Sequence, residues 1–218
     1  MEKKKKITFE KCTLPMIEKE FGLKRVVDSP EIDDWVNVQD YTLNDFELQT
    51  LKNVTHHARL RVKSWNEESL KMMFIAPIIN LIDFNTNEIG SFADEKLEAE
   101  FENFTLTGKA DWLVAKGVTY SEIPYFFLHE YKRSRTESDP DGQLLAAMLT
   151  AQALNNNGQM LYGIVVTGAS WDFVMLNGRT YDISESYTAT DFDSLVEIVK
   201  ILKKTQKIIV DRVQKLLK

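Results

Sequence analysis

Apolar and polar residues change period along the chain, and the changes mark out its elements. A helix is predicted from about Leu43 to Val62, with Phe46, Leu51, Val54 and Leu60 near helical spacing. A second begins near SWNEES, where Ser64 or Asn66 can cap it and Leu70, Met73, Phe74 and Ile78 form the inner stripe. Glu67 shares that inner face, and Glu68 leans toward the flank. From Glu95 the period falls to two: LEAEFEN and TLTGKADWLVA read as successive strands, followed by the apolar strand PYFFLHEY. DPDGQ is turn and cap chemistry, with Asp139 or Asp141 capping the alanine-rich helix QLLAAMLTAQALNNNG. MLYGIVVTG is a short, continuously apolar strand, and WDFVMLNGRTYDI reads as a hairpin turned at Asn177-Gly178. After ATDFDS a long amphipathic helix carries Leu195, Val199, Leu202, Ile209, Val213 and Leu216 on one stripe, which covers the sheet or a partner in a homodimer.

Strand 125–132, helix 142–155 and strand 160–167 make a β-α-β unit, whose strands are parallel with a right-handed crossover. The strands before it are joined by short turns and are expected to be antiparallel. The prediction is therefore an α/β (α+β) fold with a mixed central sheet flanked by helices, not a doubly wound nucleotide fold. Residues 1–63 read as a mostly helical N-terminal extension with an irregular middle, VVDSPEIDDWVNVQDY, and residues 64–218 as the main domain with its long C-terminal helix.

Composition narrows the classes. With 218 residues, 44% hydrophobic and 28% charged, the chain can bury one sizeable core. A formal charge of −6 argues against a general nucleic-acid coat, although Glu98, Glu100 and Glu102 alternate with apolar residues and belong to the wet face of one strand. MEKKKK has the charge of a leader start, but no apolar core follows it, and no apolar run is long enough for a membrane. With a single cysteine, Cys12, the expectation is a cytoplasmic chain without a membrane partner. Neither a phosphate-binding Walker loop nor a nucleophile elbow is present. His56 and His57 are helix neighbours about 100° apart and cannot jointly hold one metal.

The informative chemistry lies at the end of IPYFFLHEYKRS. Side chains alternate on a strand, so Glu130 and Lys132 share one face and Tyr131 takes the other. If 110–115 and 125–132 pair antiparallel about the polar gap from Lys116 to Pro124, Asp111 lies opposite Glu130. Like charges so placed destabilise a sheet unless a cation resolves them. Mg²⁺ does this with one or two carboxylates, several waters and phosphate oxygens, and the main-chain carbonyl of Tyr131 is a further candidate ligand. Lys132 beside such a metal can orient or deprotonate a water and offset phosphate charge, and Glu67 can supply a third acid from its helix. The plain alternative is a salt bridge between Glu130 and Lys132 at a strand end. Arg133, Arg135 and Lys109 are either phosphate contacts or polar loop residues. Trp171, Phe173 and Tyr181 have strand spacing and suit the core better than base stacking.

GKADWLVA, then YFFLHEYK, then GQLLAAMLTAQ resembles the PD-(D/E)XK nuclease superfamily, with its restriction-endonuclease-like core, over roughly residues 64–183. The resemblance implies Asp111 as the motif aspartate, Glu130 as the second acid, Lys132 as the lysine, Gln143 as the glutamine of the following helix and Glu67 as the helix acid. Ala110 stands where the name-giving proline would be. The implied activity is Mg²⁺-dependent (or Mn²⁺-dependent) hydrolysis of phosphodiester bonds in DNA. The implied alternative is a catalytically silent binding or assembly module that keeps the fold.

Overall fold

Strand β5 (Glu122–Lys132) is the axis of the molecule, because every residue from 125 to 131 is buried. A computed structural model describes residues 4–136 and 138–217. Its nine-stranded sheet is mixed. β4 (Phe104–Lys116) pairs antiparallel with β3 (Ile89–Glu100) along one edge. Its other edge is shared: β5 occupies positions 112–116, and β1 (Lys5–Thr8) runs parallel along positions 104–107. β6 (Leu161–Thr167) lies parallel to β5, and the β6–β7–β8 meander continues with β7 (Ser170–Asn177) and β8 (Thr180–Ile183). β2 (Lys24–Arg25) closes that end, and β9 (Tyr187–Thr188) pairs with β7. The chain is thus a mixed α/β structure, as the change of period predicted. The β-α-β unit and the hairpin at Asn177-Gly178 are as expected, and the segment before residue 64 contributes two strands to the same sheet.

Alternation along β5 feeds two apolar layers. Leu128 faces Leu113, Val165 and the helix α6 (Pro140–Asn155), with α1 (Leu14–Phe21) packed outside it. Phe127 faces Trp35, Phe74, Ile164 and Phe173. That second layer comes from α2 (Pro30–Val36), α3 (Asp45–Arg61), the helical run α4 (Glu67–Leu70) to α5 (Ala76–Ile79), and α7 (Phe192–Leu216). The stripe on α7 is buried against the sheet from Leu195 to Val213, leaving Leu216 exposed at the end. Trp171, Phe173 and Tyr181 are core residues. Among the described residues, no helix is long and apolar enough to cross a membrane.

Three expectations need correction. The irregular middle contains α2, begun by Ser29 accepting from the Ile32 amide and by Pro30 at its first position, a start signal legible in the sequence. Phe46 and Leu60 are exposed, because α3 needs only Leu51, Val54 and Ala58 inward. Met73 is exposed too: residues Lys71–Ile75 form a π-helical turn, which widens the helix and brings Ile75 inward beside the expected Phe74.

α1 is locked onto α6 at Gly142. A Cβ there would lie 2.5 Å from the Thr13 carbonyl carbon and 2.6 Å from the Leu14 nitrogen, main-chain atoms that cannot rotate aside. Asp139 ties the same point, accepting from the Leu14 amide at 2.7 Å and from Gly142 at 3.0 Å. Alanine normally improves a helix by about 1 kcal/mol over glycine. Here Gly142→Ala is expected to lower stability by about 1–3 kcal/mol through overpacking, measured by urea unfolding.

Candidate functional site

β4 and β5 meet in the register Trp112–His129 and Leu113–Leu128, the index sum expected, and Asp111 and Glu130 are the residues next beyond the last pair. The irregularities lie at the far end, between Val114 and Lys116, so the site end stays in line. Asp111 closes the ladder with its side chain: Oδ2 accepts the Tyr131 amide at 2.7 Å. Since the N–H and C=O of a strand residue point to the same edge, the Tyr131 carbonyl lies on the Asp111 side. The Tyr131 ring takes the opposite face, where its hydroxyl is 2.6 Å from His129 Nδ1.

The charged side chains form a chain of alternating sign. Lys132 Nζ is 2.8 Å from Glu130 Oε1 and 3.9 Å from Glu67 Oε2. Lys71 Nζ is 3.1 Å from Glu67 Oε1, 2.9 Å from Asp111 Oδ1 and 3.9 Å from Glu68 Oε1. Glu67 is therefore the helix acid of the cluster, at the rim, whereas Glu68 stays largely in solvent. Burial, reinforced by the charge of Asp111, pushes the Glu130 carboxyl up to about 7. Burial also pulls Lys132 downward, but the carboxylates around it, Glu130 foremost, win and raise its pKa. Lys71 is raised likewise, since its bonds to Asp111 and Glu67 outweigh the burial.

A cavity of about 380 Å³ opens over these groups where β4 passes from β5 to β1. Its lining includes Lys71, Lys109, Asp111, Glu130, Lys132 and the buried Gln143 of α6. The N-terminal segment supplies another wall with Thr8, Phe9 and Glu10. A neighbouring cavity of about 700 Å³, lined by Arg133, Ser134, Thr136 and Ser138, shares Glu10, Glu67, Lys132 and Gln143 with it. All five expected side chains, Glu67, Asp111, Glu130, Lys132 and Gln143, thus border one opening.

Other groups fall elsewhere or were not anticipated. Arg135 is tied to Asp141 and Asp172, each at 2.5 Å, and so is a structural cation. His56 and His57 are exposed on α3. Lys71 was missed, although its i, i+4 spacing from Glu67 marked the pair. Asp94 was missed as well: the pairs Ala93–Trp112 and Glu95–Ala110 set it across from Asp111, and φ of 54° interrupts the ladder there. No short-range pattern gives away Glu10, which reaches the site only through the β1–β4 pairing.

Five acids (Glu10, Glu67, Asp94, Asp111, Glu130) and three lysines line the smaller cavity, a net negative balance. The donors are carboxylates, with neither imidazole nor thiol among the lining residues, which suits a hard divalent cation held by oxygen. Among the described residues, no three His, Cys, Asp or Glu side chains converge as a ready cage. Lysine ammonium groups stand between the carboxylates and keep them apart. A cation here would be held by two carboxylates, Asp111 and Glu130, and its remaining positions would be left to water. No protein-family model matches the chain, and no curated protein matches its sequence.

The raised carboxyl of Glu130 has a measurable consequence. Its proton is held more tightly in the folded state, so the contribution is fully present below about pH 4.5 and is lost as pH rises toward about 7. Across that window the loss is on the order of 3 kcal/mol at most. In Glu130→Gln the fall in stability between pH 4.5 and 7 is expected to be smaller than in the parent chain, measured by urea unfolding in metal-free buffer. Parallel pH curves for the two proteins would contradict the assignment.

Proposed function

We propose that the chain is a Mg²⁺-dependent phosphodiester hydrolase acting on DNA, of the PD-(D/E)XK kind. The observation that carries this reading is the meeting of Asp111, from within β4, with Glu130 and Lys132, at the end of β5, in one net-negative cavity. Further support comes from element order: a helix with Glu67, a strand carrying Asp111, a strand ending in Glu130 and Lys132, then a helix with Gln143 in its first turn. Asp111 and Glu130 would hold the metal, with the Tyr131 carbonyl on the same edge and Glu67 at the rim. When bound, Mg²⁺ supplies Lewis-acid polarisation of a phosphoryl oxygen and a more acidic water.

The chain's own groups divide the remaining work. Lys132, its pKa raised, stays an ammonium that donates toward a phosphate oxygen or the attacking water and not a base that removes its proton. Glu130, with a carboxyl near 7 in the metal-free protein, must give up that proton before it can hold the cation. Gln143, buried at the cavity wall, is set to position water or substrate. Arg133 in the adjoining cavity is placed to meet a flanking phosphate, a contact that positions the strand without reading its sequence. The reading includes a cytoplasmic location, which the single buried thiol of Cys12, pushed up to about 11 by burial, suits.

A catalytically silent nucleic-acid-binding module is the competing reading, favoured by the ion pair that Asp111 already makes with Lys71. Purified protein incubated with linear and plasmid DNA, with Mg²⁺, Mn²⁺ or EDTA, separates the two. Cleavage is expected only with divalent ion, and Asp111→Asn or Lys132→Met is expected to reduce its rate by at least about 10²-fold. Cleavage that persists in Asp111→Asn would belong to a contaminant, and binding without cleavage would favour the silent module.

A further inference from the structure

Lys71 holds the position that decides whether Asp111 is free. One Asp111 oxygen is committed to the Tyr131 amide, and the other takes the Lys71 ammonium at 2.9 Å. A divalent cation bound through Asp111 therefore meets the ammonium at one oxygen and the amide at the other, and its charge repels the ammonium. The amide belongs to β5, a strand buried on both faces, and cannot move without opening the core. The lysine stands on a flexible stem, its side chain 22% exposed, on the π-helical turn Lys71–Ile75. Lysine is the partner that yields.

We propose that Lys71 is a built-in counter-ion that occupies Asp111 in the metal-free protein and is displaced when a divalent cation binds, freeing its ammonium within the substrate cavity. The inference rests on the reading of Asp111 and Glu130 as metal ligands, and goes beyond it by assigning a role to a residue outside that set. The groups facing Lys71 are Glu67 and Glu68 from its own helix and Asp111 from β4. Once released from Asp111, the ammonium keeps Glu67 as partner, so it stays charged and close to the opening, where a phosphate would be its next ligand. Two consequences separate this role from a purely structural ion pair. Removing the ammonium strengthens divalent-ion binding, because the cation no longer competes for the Oδ1 site. Supplying the cation loosens Lys71 in the unaltered protein.

Mn²⁺ binding to the full chain, followed by electron paramagnetic resonance, tests the first in the parent, Lys71→Met and Asp111→Asn proteins. Lys71→Met is expected to bind Mn²⁺ about tenfold or more tightly than the parent, the value of one charge-assisted hydrogen bond, with no tight binding in Asp111→Asn. Acetylation of Lys71 by an amine-reactive reagent, mapped by mass spectrometry in the parent protein, tests the second and does not depend on the variant folding. Labelling is expected to rise several-fold at saturating Mg²⁺. Equal or weaker Mn²⁺ binding in Lys71→Met, or labelling indifferent to Mg²⁺ while the parent binds Mn²⁺, overturns the counter-ion role alone. Absence of Mn²⁺ binding in both parent and Lys71→Met overturns the role together with the metal site it rests on.

Discussion

A carboxylate on a strand covered by apolar layers on both sides must find a cation, and Glu130 imposes that constraint on the rest of the site. Its side chain is only 7% exposed, bordered by the apolar layers packed around β5 and by the cavity it lines. Strand alternation makes Lys132 the nearest residue able to reach it on the same face, and the bond forms at 2.8 Å. Antiparallel pairing brings Asp111 to the other side of Glu130, so a second acid must be neutralised in its turn. That task falls to the Tyr131 amide and to Lys71. Glu67 then bridges the two lysines from the helix.

The opening above these groups exists because β4 changes partner. β5 leaves its edge beyond Trp112, and β1 takes it up from Thr107 downward. Between the two pairings the edge is free, and Gly108, Lys109 and Asp111 line the gap. Phe9 packs so closely over Gly108 that a Cβ there would fall 2.3 Å from its ring. The N-terminal segment is thus a wall of the cavity, held in place by the α1–α6 contact at Gly142 and the Asp139 bond to Leu14. A rigid frame of this kind suits a site whose charged groups must be held at fixed separations.

Much of this was legible in the order of residues, for reasons that differ by element. Alternation in PYFFLHEYK, the cap at Asp139 and the turn at Asn177-Gly178 are local signals, and the structure follows each of them. The pairing of Asp111 with Glu130 was readable because the hairpin stays regular at its site end, although bulges shift the other end. The π-helical turn was not readable, since no residue type demands it, and with it went Met73. Glu10 and Phe9 were invisible because a parallel pairing across roughly a hundred residues leaves no short-range trace. Lys71 was visible as a helical partner of Glu67, but its second bond, to a strand forty residues away, is set by packing alone.

Stability alone is a weak reason to keep such a cluster. Ion pairs taken out of water gain little, and apolar residues of similar volume often serve a core as well or better. A structural pair would also balance its charges, whereas this opening carries five acids against three lysines. Burial first, and the neighbouring acids Asp111 and Glu67 after it, raise the proton affinity of Glu130, a cost that falls on the folded state at neutral pH. In the proposed hydrolase a divalent cation held by Asp111 and Glu130 would offset that cost by supplying the missing positive charge. In that reading the same surplus would repel a bare phosphodiester until the cation is bound, and the lysines lining the cavity would then complete its neutralisation.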